Sequence, residues 1–169
     1  YDSIRKIGAA AGVAERAAAL CGKMQAALDD IRRRTAAWPR RRMMFVAGRA
    51  PGRLEDLIVV GHGAHLNELI QIAGAVNAFG DVAAAYAKVS FEQVLARNPE
   101  VIVDMGEMAQ TAGVTEAQKR AVVALWERQG TLAAVKQRRV FAVASDIFVV
   151  PGPRVVEAAR ELARMAHPE

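Results

Sequence analysis

Cysteine, aromatic residues and long apolar runs are scarce in this sequence. The single cysteine, Cys21, excludes an internal disulfide, and its apolar position on a predicted helix indicates a buried, inert thiol. Aromatic residues make up only 5% of a chain that is 53% hydrophobic, so its core consists mainly of Ala, Val, Leu and Ile. No apolar run reaches the roughly 18 residues of a membrane-spanning helix. The length fits one domain, or one domain with an appendage.

The basic excess of the chain has a local source. Lys and Arg outnumber Asp and Glu by 23 to 18, which gives a formal net charge of +5. Two arginine runs, residues 32–34 and 40–42, flank a predicted helix end and turn. Because aromatic residues do not alternate with these arginines, the pattern favours a solvated basic face over a nucleic-acid interface. We therefore expect no nucleic-acid partner.

Apolar periodicity predicts two N-terminal helices. A short helix covers residues 2–8 and is ended by Gly8 and Gly12. Apolar residues then recur at three- and four-residue spacing, which predicts one amphipathic helix of about 25 residues over positions 13–37. This helix stops before Pro39, because the residue that precedes a proline avoids helical dihedral angles.

From residue 39 onward, short apolar runs alternate with helical segments, which is the pattern of βαβ units. Strands are predicted at residues 43–47, 57–60, 101–104 and 140–144. Helices are predicted at residues 65–74, 90–97, 116–129, 132–136 and 155–166, with a loop at residues 77–81. The predicted fold class is α/β: residues 39–169 form a three-layer αβα lobe with a mostly parallel sheet, preceded by a long linking helix within residues 1–38.

Two helix starts carry capping residues. Ser90 and Gln93 form a capping-box pattern, which fixes the start of the helix that contains Glu92. Thr115 resembles Ser90, but Gln118 is interpreted as one residue out of register for a second capping box. The helix dipole favours a carboxylate in the first turn, so Glu92 is expected to be exposed there.

His62, His65 and Glu68 suggest a metal site, because each side chain is a possible ligand within one loop and one helical turn. The His-x-x-His spacing differs from the His-Glu-x-x-His of a helix-borne zinc site, and no further cluster supports it. We therefore favour a tight turn at Gly61 and Gly63, with no metal and no cofactor. A small metal-dependent α/β hydrolase that uses His62 and His65 is the alternative.

Five segments carry a resemblance to a known family. They are the long helix at 13–37, GHGAHLNELIQIAGAVNAF at 61–79, VSFEQVLARNPEVIV at 89–103, LWERQGTLAAVKQRRVFAV at 125–143 and PGPRVVEAARELARMAHPE at 151–169. In this order, they resemble the periplasmic binding proteins for cobalamin, ferric siderophores and haem, whose two lobes are joined by one long helix. The resemblance implies that residues 1–38 hold the interdomain helix and residues 39–169 the C-terminal lobe, with the N-terminal lobe absent.

The resemblance also implies roles for individual residues. In this family a glutamate on each lobe docks into arginine pockets of the permease, and Glu92 matches the glutamate of the C-terminal lobe. Asp146 and Phe148 follow the last strand, where open α/β sheets bind ligands, and are expected to face the solute. Arg49 and Arg53 are expected beside them, pairing with ligand carboxylates.

The expected function is non-covalent solute capture for a bacterial ABC importer, without catalysis. The solute is expected to be a metal chelate of the corrinoid, siderophore or haem type; Ile147 and Val150 replace an aromatic residue and an arginine of cobalamin-binding members, which leaves the class open. The expected partner is the ABC permease, and self-association of the isolated lobe is a further expectation. Because the chain opens at Tyr1 without a leader, any export signal is expected outside it, with a periplasmic or membrane-anchored extracytoplasmic location.

Overall fold

The computed structural model of the chain describes residues 1–106 and 113–168. The helices are α1 (Asp2–Ala10), α2 (Ala14–Thr35), α3 (His65–Ile72), α4 (Phe91–Arg97), α5 (Glu116–Glu127), α6 (Ala133–Lys136) and α7 (Val155–Ala166). The strands are β1 (Arg42–Gly48), β2 (Leu57–Val60), β3 (Val76–Asn77), β4 (Tyr86–Val89), β5 (Val101–Asp104) and β6 (Val140–Ala142), and a 3-10 turn covers Asp146–Phe148. None of the helices in these ranges has the length and hydropathy to cross a membrane.

One sheet contains all the described strands, in the order β4-β2-β1-β5-β6, with β3 beside the start of β1. Strand β1 is parallel to β3 and β5, and β5 is parallel to β6. Strand β2 is antiparallel to both β1 and β4, so β4 runs in the same direction as β1. The described strands other than β2 therefore share one direction, which confirms the predicted mostly parallel sheet.

Helices cover both faces of the sheet. Successive side chains of β1 point to opposite faces and therefore enter two separate cores. Met43 and Phe45 pack with residues of α2, α3 and α7, among them Leu28, Leu69 and Leu162. Met44 and Val46 pack with residues of α4, α5 and α6, among them Val94, Val122 and Ala134. Because β1 is buried on both faces, its residues 43–46 form a continuous apolar run in the sequence. The predicted three-layer αβα arrangement is confirmed.

Gly8 lies inside α1 rather than at its end, so the prediction that this glycine ends the helix is wrong. A Cβ atom at Gly8 would lie 2.3 Å from the Cβ of Ala17, because α1 packs closely on α2 at this point. The helix continues to Ala10, and Gly12 makes the turn to α2 with a φ of +70°. Cys21 is buried on α2, as its apolar position predicts.

Most predicted elements are present, with three differences. The short strand β3 (Val76–Asn77) overlaps the start of the loop predicted at residues 77–81, and β4 (Tyr86–Val89) lies where no element is predicted. Thr115 forms a full capping box with Gln118, so the predicted register error is wrong: the Thr115 hydroxyl accepts from the Gln118 backbone at 3.2 Å. The capping box of Ser90 and Gln93 is present as predicted.

Candidate functional site

Strands β1, β4, β5 and β6 all end at one side of the sheet, which we call the carboxyl edge. It comprises the loop at residues 49–56, the start of α4 at residues 90–92, residues 104–106 after β5, and residues 143–154 after β6. Ligands of open α/β sheets bind outside this end of the strands. The parallel topology therefore places every sequence-predicted solute or docking residue at one edge.

A buried ion pair organises the middle of the carboxyl edge. The Arg49 Nε donates to the Asp104 Oδ2 at 2.8 Å, and both side chains are 0% exposed. The same carboxylate oxygen accepts from the Trp126 indole at 2.6 Å, while the Oδ1 accepts from the Gly106 backbone at 2.7 Å. Asp104 thus connects the ends of β1 and β5 with helix α5. No local sequence pattern reveals this cluster, because Arg49 and Trp126 are 55 and 22 residues from Asp104 in the chain.

Arg49 faces the interior and not the solute side, which corrects the prediction made from the sequence. Besides the Asp104 pair, its Nη1 donates to the backbone carbonyl of Ala50 at 3.2 Å and to that of Arg53 at 3.4 Å. A guanidinium that is shielded from water and committed to these acceptors stabilises the loop at residues 49–56. Its role in this structure is therefore to position the loop.

Arg53 remains exposed on that loop. Its Nη1 lies 3.7 Å from the Oε2 of Glu55. Both side chains are largely in solvent, so this pair is weak and leaves the guanidinium accessible. Arg53 therefore keeps the accessibility that a solute contact requires.

Asp146 opens the 3-10 turn after β6 and forms an ion pair with Arg154. The two guanidinium nitrogens of Arg154 face the two carboxylate oxygens, and the Nη1 to Oδ1 distance is 3.1 Å. The hydrogen bond from Arg154 lowers the pKa of Asp146, so the carboxylate stays charged. Sequence analysis did not single out Arg154, although the Gly-Pro-Arg segment before α7 could have suggested it.

Phe148 is buried in the core, which corrects the prediction that its side chain faces the solute. Its ring lies 5.5 Å from the ring of Phe45 in a tilted arrangement, and 3% of the residue is exposed. The 3-10 turn rotates Ile147 and Phe148 inward and leaves the next two residues outside. Val149 and Val150 are 49% and 55% exposed, so they form the apolar surface of this loop.

Glu92 is exposed in the first turn of α4, as predicted. The Ser90 side chain hydrogen-bonds to this carboxylate and lowers its pKa, and the backbone amide of Glu92 adds to the effect. Ser90 also caps the helix by accepting from the Gln93 backbone at 3.3 Å. The cap therefore fixes both the position and the negative charge of Glu92.

The candidate residues form two groups along the carboxyl edge. The loop at residues 49–56 borders the start of α4, and a surface groove is shared by Glu55, Asp56 and Glu92. The pair of Asp146 and Arg154 lies beyond β6, at the other margin of the sheet. Four strand spacings separate β4 from β6, or roughly 19 Å. Glu92 and Asp146 therefore belong to separate surfaces.

His62 and His65 lie in different environments. His62 is exposed, whereas His65 is half-buried and burial lowers its imidazole pKa, opposed by a hydrogen bond with the Phe148 backbone. In the ranges that the structure describes, no three His, Cys, Asp or Glu side chains lie close enough to hold a metal ion. Gly61 is needed for close approach, since a Cβ there would lie 2.1 Å from the Ala84 carbonyl oxygen. These observations give no support to the hydrolase alternative.

Comparison with known protein families shows to which family this chain belongs. Residues 1–147 match the family model described as periplasmic binding protein. The chain belongs to the periplasmic binding protein family. Its members are binding proteins and not enzymes, which agrees with the sequence-based prediction of a non-catalytic protein.

Individual relatives cover the same region. The chain is 28% identical over 171 residues to an ABC transporter substrate-binding lipoprotein of Bacillus subtilis, covering 100% of this chain and 50% of that protein. It is 29% identical over 108 residues to the vitamin B12-binding protein of Vibrio cholerae, covering 64% of this chain and 36% of that protein. The chain thus spans about half the length of the Bacillus relative.

A solved structure shows the same fold. An ABC-type Fe3+-hydroxamate transport protein from Saccharomonospora viridis superposes with a TM-score of 0.79 at 22% identity, covering 98% of this chain and 54% of that one. At this identity the likeness supports the fold and no more. The resemblance deduced from the five sequence segments is confirmed at the level of family and fold.

Proposed function

We propose that this periplasmic binding protein lobe forms one wall of the solute cleft in the binding component of an ABC importer. The solute is a metal chelate of the corrinoid, ferric siderophore or haem type, and the lobe delivers it to the permease. The supporting observation is the carboxyl edge, where an exposed ion pair and two exposed valines lie apart from an exposed, charged Glu92. The similarity to a vitamin B12-binding protein supports the solute class.

The loop after β6 provides chemistry that suits a large chelate. Val149 and Val150 offer aliphatic surface, and the adjacent Asp146 and Arg154 offer one acceptor and one donor group that are already paired. Binding pockets for such ligands are mostly apolar with a few placed polar groups. Arg53 follows β1, the central strand between the two margins, and supplies a further accessible cation for ligand carboxylates.

Glu92 is the proposed docking residue for the permease. It follows β4, which lies four strand spacings, or roughly 19 Å, from β6, so a partner that binds Glu92 leaves the Asp146 loop free. Its lowered pKa keeps the carboxylate charged for an arginine of the permease. The protein that carries this lobe would act outside the cytoplasm, since the Bacillus relative is a lipoprotein.

The solute class is tested by titrating cobalamin, a ferric hydroxamate and haem into the full-length protein by calorimetry. We expect one class to bind with micromolar or tighter Kd, and Val150→Asp to weaken that binding because it places a charge on the apolar wall. Val76→Asp is the matched control, because Val76 is also exposed, at 42% against 55% for Val150, but lies at the opposite edge. Absence of binding for all three solutes, or equal effects of the two variants, would contradict the proposal.

The docking role is tested in the full-length protein with its transporter. We expect Glu92→Gln to lower transporter-stimulated ATP hydrolysis by about tenfold, because a carboxylate that pairs with a desolvated arginine is lost. Solute affinity should not change. Glu116→Gln is the control, since Glu116 is also exposed in the first turn of a capped helix. Unchanged stimulation by the Glu92 variant would remove it from the docking surface.

A further inference from the structure

The edge of the sheet opposite the carboxyl edge is strongly basic. Strands β1 and β6 begin there, and helices α2 and α7 end there, as the Arg41 Nη1 bond to the Ala166 carbonyl at 2.6 Å shows. Both arginine runs, residues 32–34 and 40–42, lie at this edge, together with arginines near the end of α7. The charge excess of the chain is therefore concentrated away from the proposed solute and docking surfaces.

A groove of about 800 Å³ lies between the ends of α2 and α7 at this edge. We call it the Trp38 groove. Its walls combine apolar and cationic side chains. The apolar residues are Ile31, Trp38, Pro39, Ala163 and Pro168, and the cationic residues are Arg34, Arg41, Arg160 and Arg164.

Trp38 is exposed although it has a ring partner. Its indole lies 4.7 Å from the His167 ring, yet 42% of the residue is in solvent. The other tryptophan, Trp126, is fully buried and bonded to Asp104. Core packing therefore accounts for Trp126 but not for the open face of Trp38.

Apart from Arg41, which donates to the Ala166 carbonyl, the guanidinium groups of the Trp38 groove make only surface contacts with the fold. Arg34 pairs with Asp30 at 2.8 Å and Arg164 pairs with Glu161 at 2.6 Å, both on the surface of their own helices. Such exposed pairs contribute little, so the arginines can turn toward a bound anion. Arg160 forms no ion pair within residues 1–106 and 113–168.

We propose that the Trp38 groove binds an anionic phospholipid at a membrane surface. An amphiphilic occupant fits this groove, because its lining combines apolar side chains with four guanidinium groups. Guanidinium groups bind phosphate oxygens in a bidentate manner, and tryptophan favours the interface between apolar and wet surroundings. Clusters of basic residues are attracted to anionic lipid surfaces for the same reason. This proposal does not depend on the solute or the permease.

Charge complementarity favours this occupant over two others. A free phosphate ion would contact the arginines but leave Trp38, Pro39 and Pro168 in contact with water. A nucleic acid would need further aromatic or donor groups along its length, and the groove presents one exposed aromatic ring. A lipid headgroup with its upper acyl chain uses both parts.

The test combines vesicle co-sedimentation with Trp38 fluorescence on the purified protein. Vesicles contain phosphatidylcholine alone or with about 25 mol% phosphatidylglycerol. We expect co-sedimentation and a blue shift of the emission only with phosphatidylglycerol, because Trp38 is the exposed indole that can enter an apolar layer. Trp38→Phe should abolish the shift.

The matched charge variants decide whether the groove itself binds. Arg160→Gln/Arg164→Gln should weaken association with phosphatidylglycerol vesicles about tenfold or more. Arg5→Gln/Arg16→Gln removes the same charge from exposed sites on α1 and α2 and should bind nearly as the wild type does. Equal losses in both variants would overturn the proposal, as would a Trp38 shift with inorganic phosphate alone. Binding of duplex DNA that depends on the same two arginines would also overturn it.

Discussion

Asp104 is the residue on which most contacts of the carboxyl edge depend. Its two oxygens accept from Arg49, Trp126 and the Gly106 backbone, and the bonds from Arg49 and Trp126 are buried. Removing one member of a buried ion pair leaves the other charge uncompensated, which lowers the free energy of unfolding strongly. This loss is much larger than the net stabilisation that the intact pair provides over a pair of apolar residues. The ends of β1 and β5 therefore rely on one carboxylate.

Asp104→Asn is predicted to lower the free energy of unfolding by about 3 to 5 kcal/mol, because the buried Arg49 guanidinium loses its counter-charge. Urea unfolding monitored by circular dichroism measures the change. Asp56→Asn is the control: it removes a carboxylate from an exposed pair with Lys88, at a position where asparagine tolerates the φ of +52°. A similar small loss in both variants would contradict the central role of Asp104.

The lowered pKa values of two histidines predict how the free energy of unfolding depends on pH. Burial lowers the pKa of both His65 and His167, and the charge of Arg41 lowers that of His167 further. In the unfolded chain both pKa values return to about 6.5, so the unfolded state takes up protons first as the pH falls. Stability should therefore be level above this value and should fall on acidification below it.

The measurement is urea unfolding between about pH 7.5 and pH 5.5. His65→Gln and His167→Gln should each flatten part of the pH dependence, because each removes one proton-linked group. His62→Gln is the control, since His62 is exposed. A wild-type stability that rises on acidification in this range would refute the assignment.

At the scale of elements, the first turn of α4 couples folding to the proposed docking charge. The Ser90 side chain caps the helix at Gln93 and also hydrogen-bonds to Glu92, lowering the pKa of that carboxyl group. Ser90→Ala should cost about 0.5 to 2 kcal/mol of stability. It should also raise the pKa of Glu92 toward its ordinary value, as read from an NMR titration of the side-chain carboxyl.

Ser90→Thr provides the comparison, because threonine keeps the hydroxyl that makes both contacts. The threonine variant should retain the low pKa of Glu92 and most of the stability. If the alanine and threonine variants gave the same Glu92 pKa, the hydrogen bond from Ser90 would not be its cause.

Periodicity was sufficient to predict the strands and helices that are long or buried on two faces. Strand β5 and helix α7 occur at the predicted residues, because a continuous apolar run and a 3.6-residue period are unambiguous there. Strand β4 was missed, since only Val89 among its four residues is buried and alanines precede it. Strand β3 has two residues and depends on pairing with β1, which no local pattern reveals.

At the scale of the whole molecule, the sequence predicted which edge holds the site better than it predicted which side chains face outward. Loop membership placed Arg49, Phe148 and Asp146 at the carboxyl edge, and the structure agrees. Burial then depends on distant partners: Asp104 draws Arg49 inward, and Phe45 provides the contact that buries Phe148. Neither partner is near in sequence, so only the folded lobe separates interior residues from accessible ones.

The last prediction concerns this lobe as one half of a proposed two-lobe cleft. Solute contacts are shared between two walls in such a cleft, and this chain contributes the carboxyl edge alone, with Val149 and Val150 exposed. We therefore expect the 169-residue chain to bind the solute at least about a hundredfold more weakly than the full-length protein, as each wall supplies only part of the contact energy.

The exposed valines should also promote self-association, which Val149→Ser/Val150→Ser should reduce because it removes apolar surface from water. Calorimetry on both proteins and sedimentation velocity on the lobe measure these quantities. Micromolar or tighter solute binding by a monomeric lobe would show that one wall is sufficient, and the two-wall cleft would then have to be abandoned.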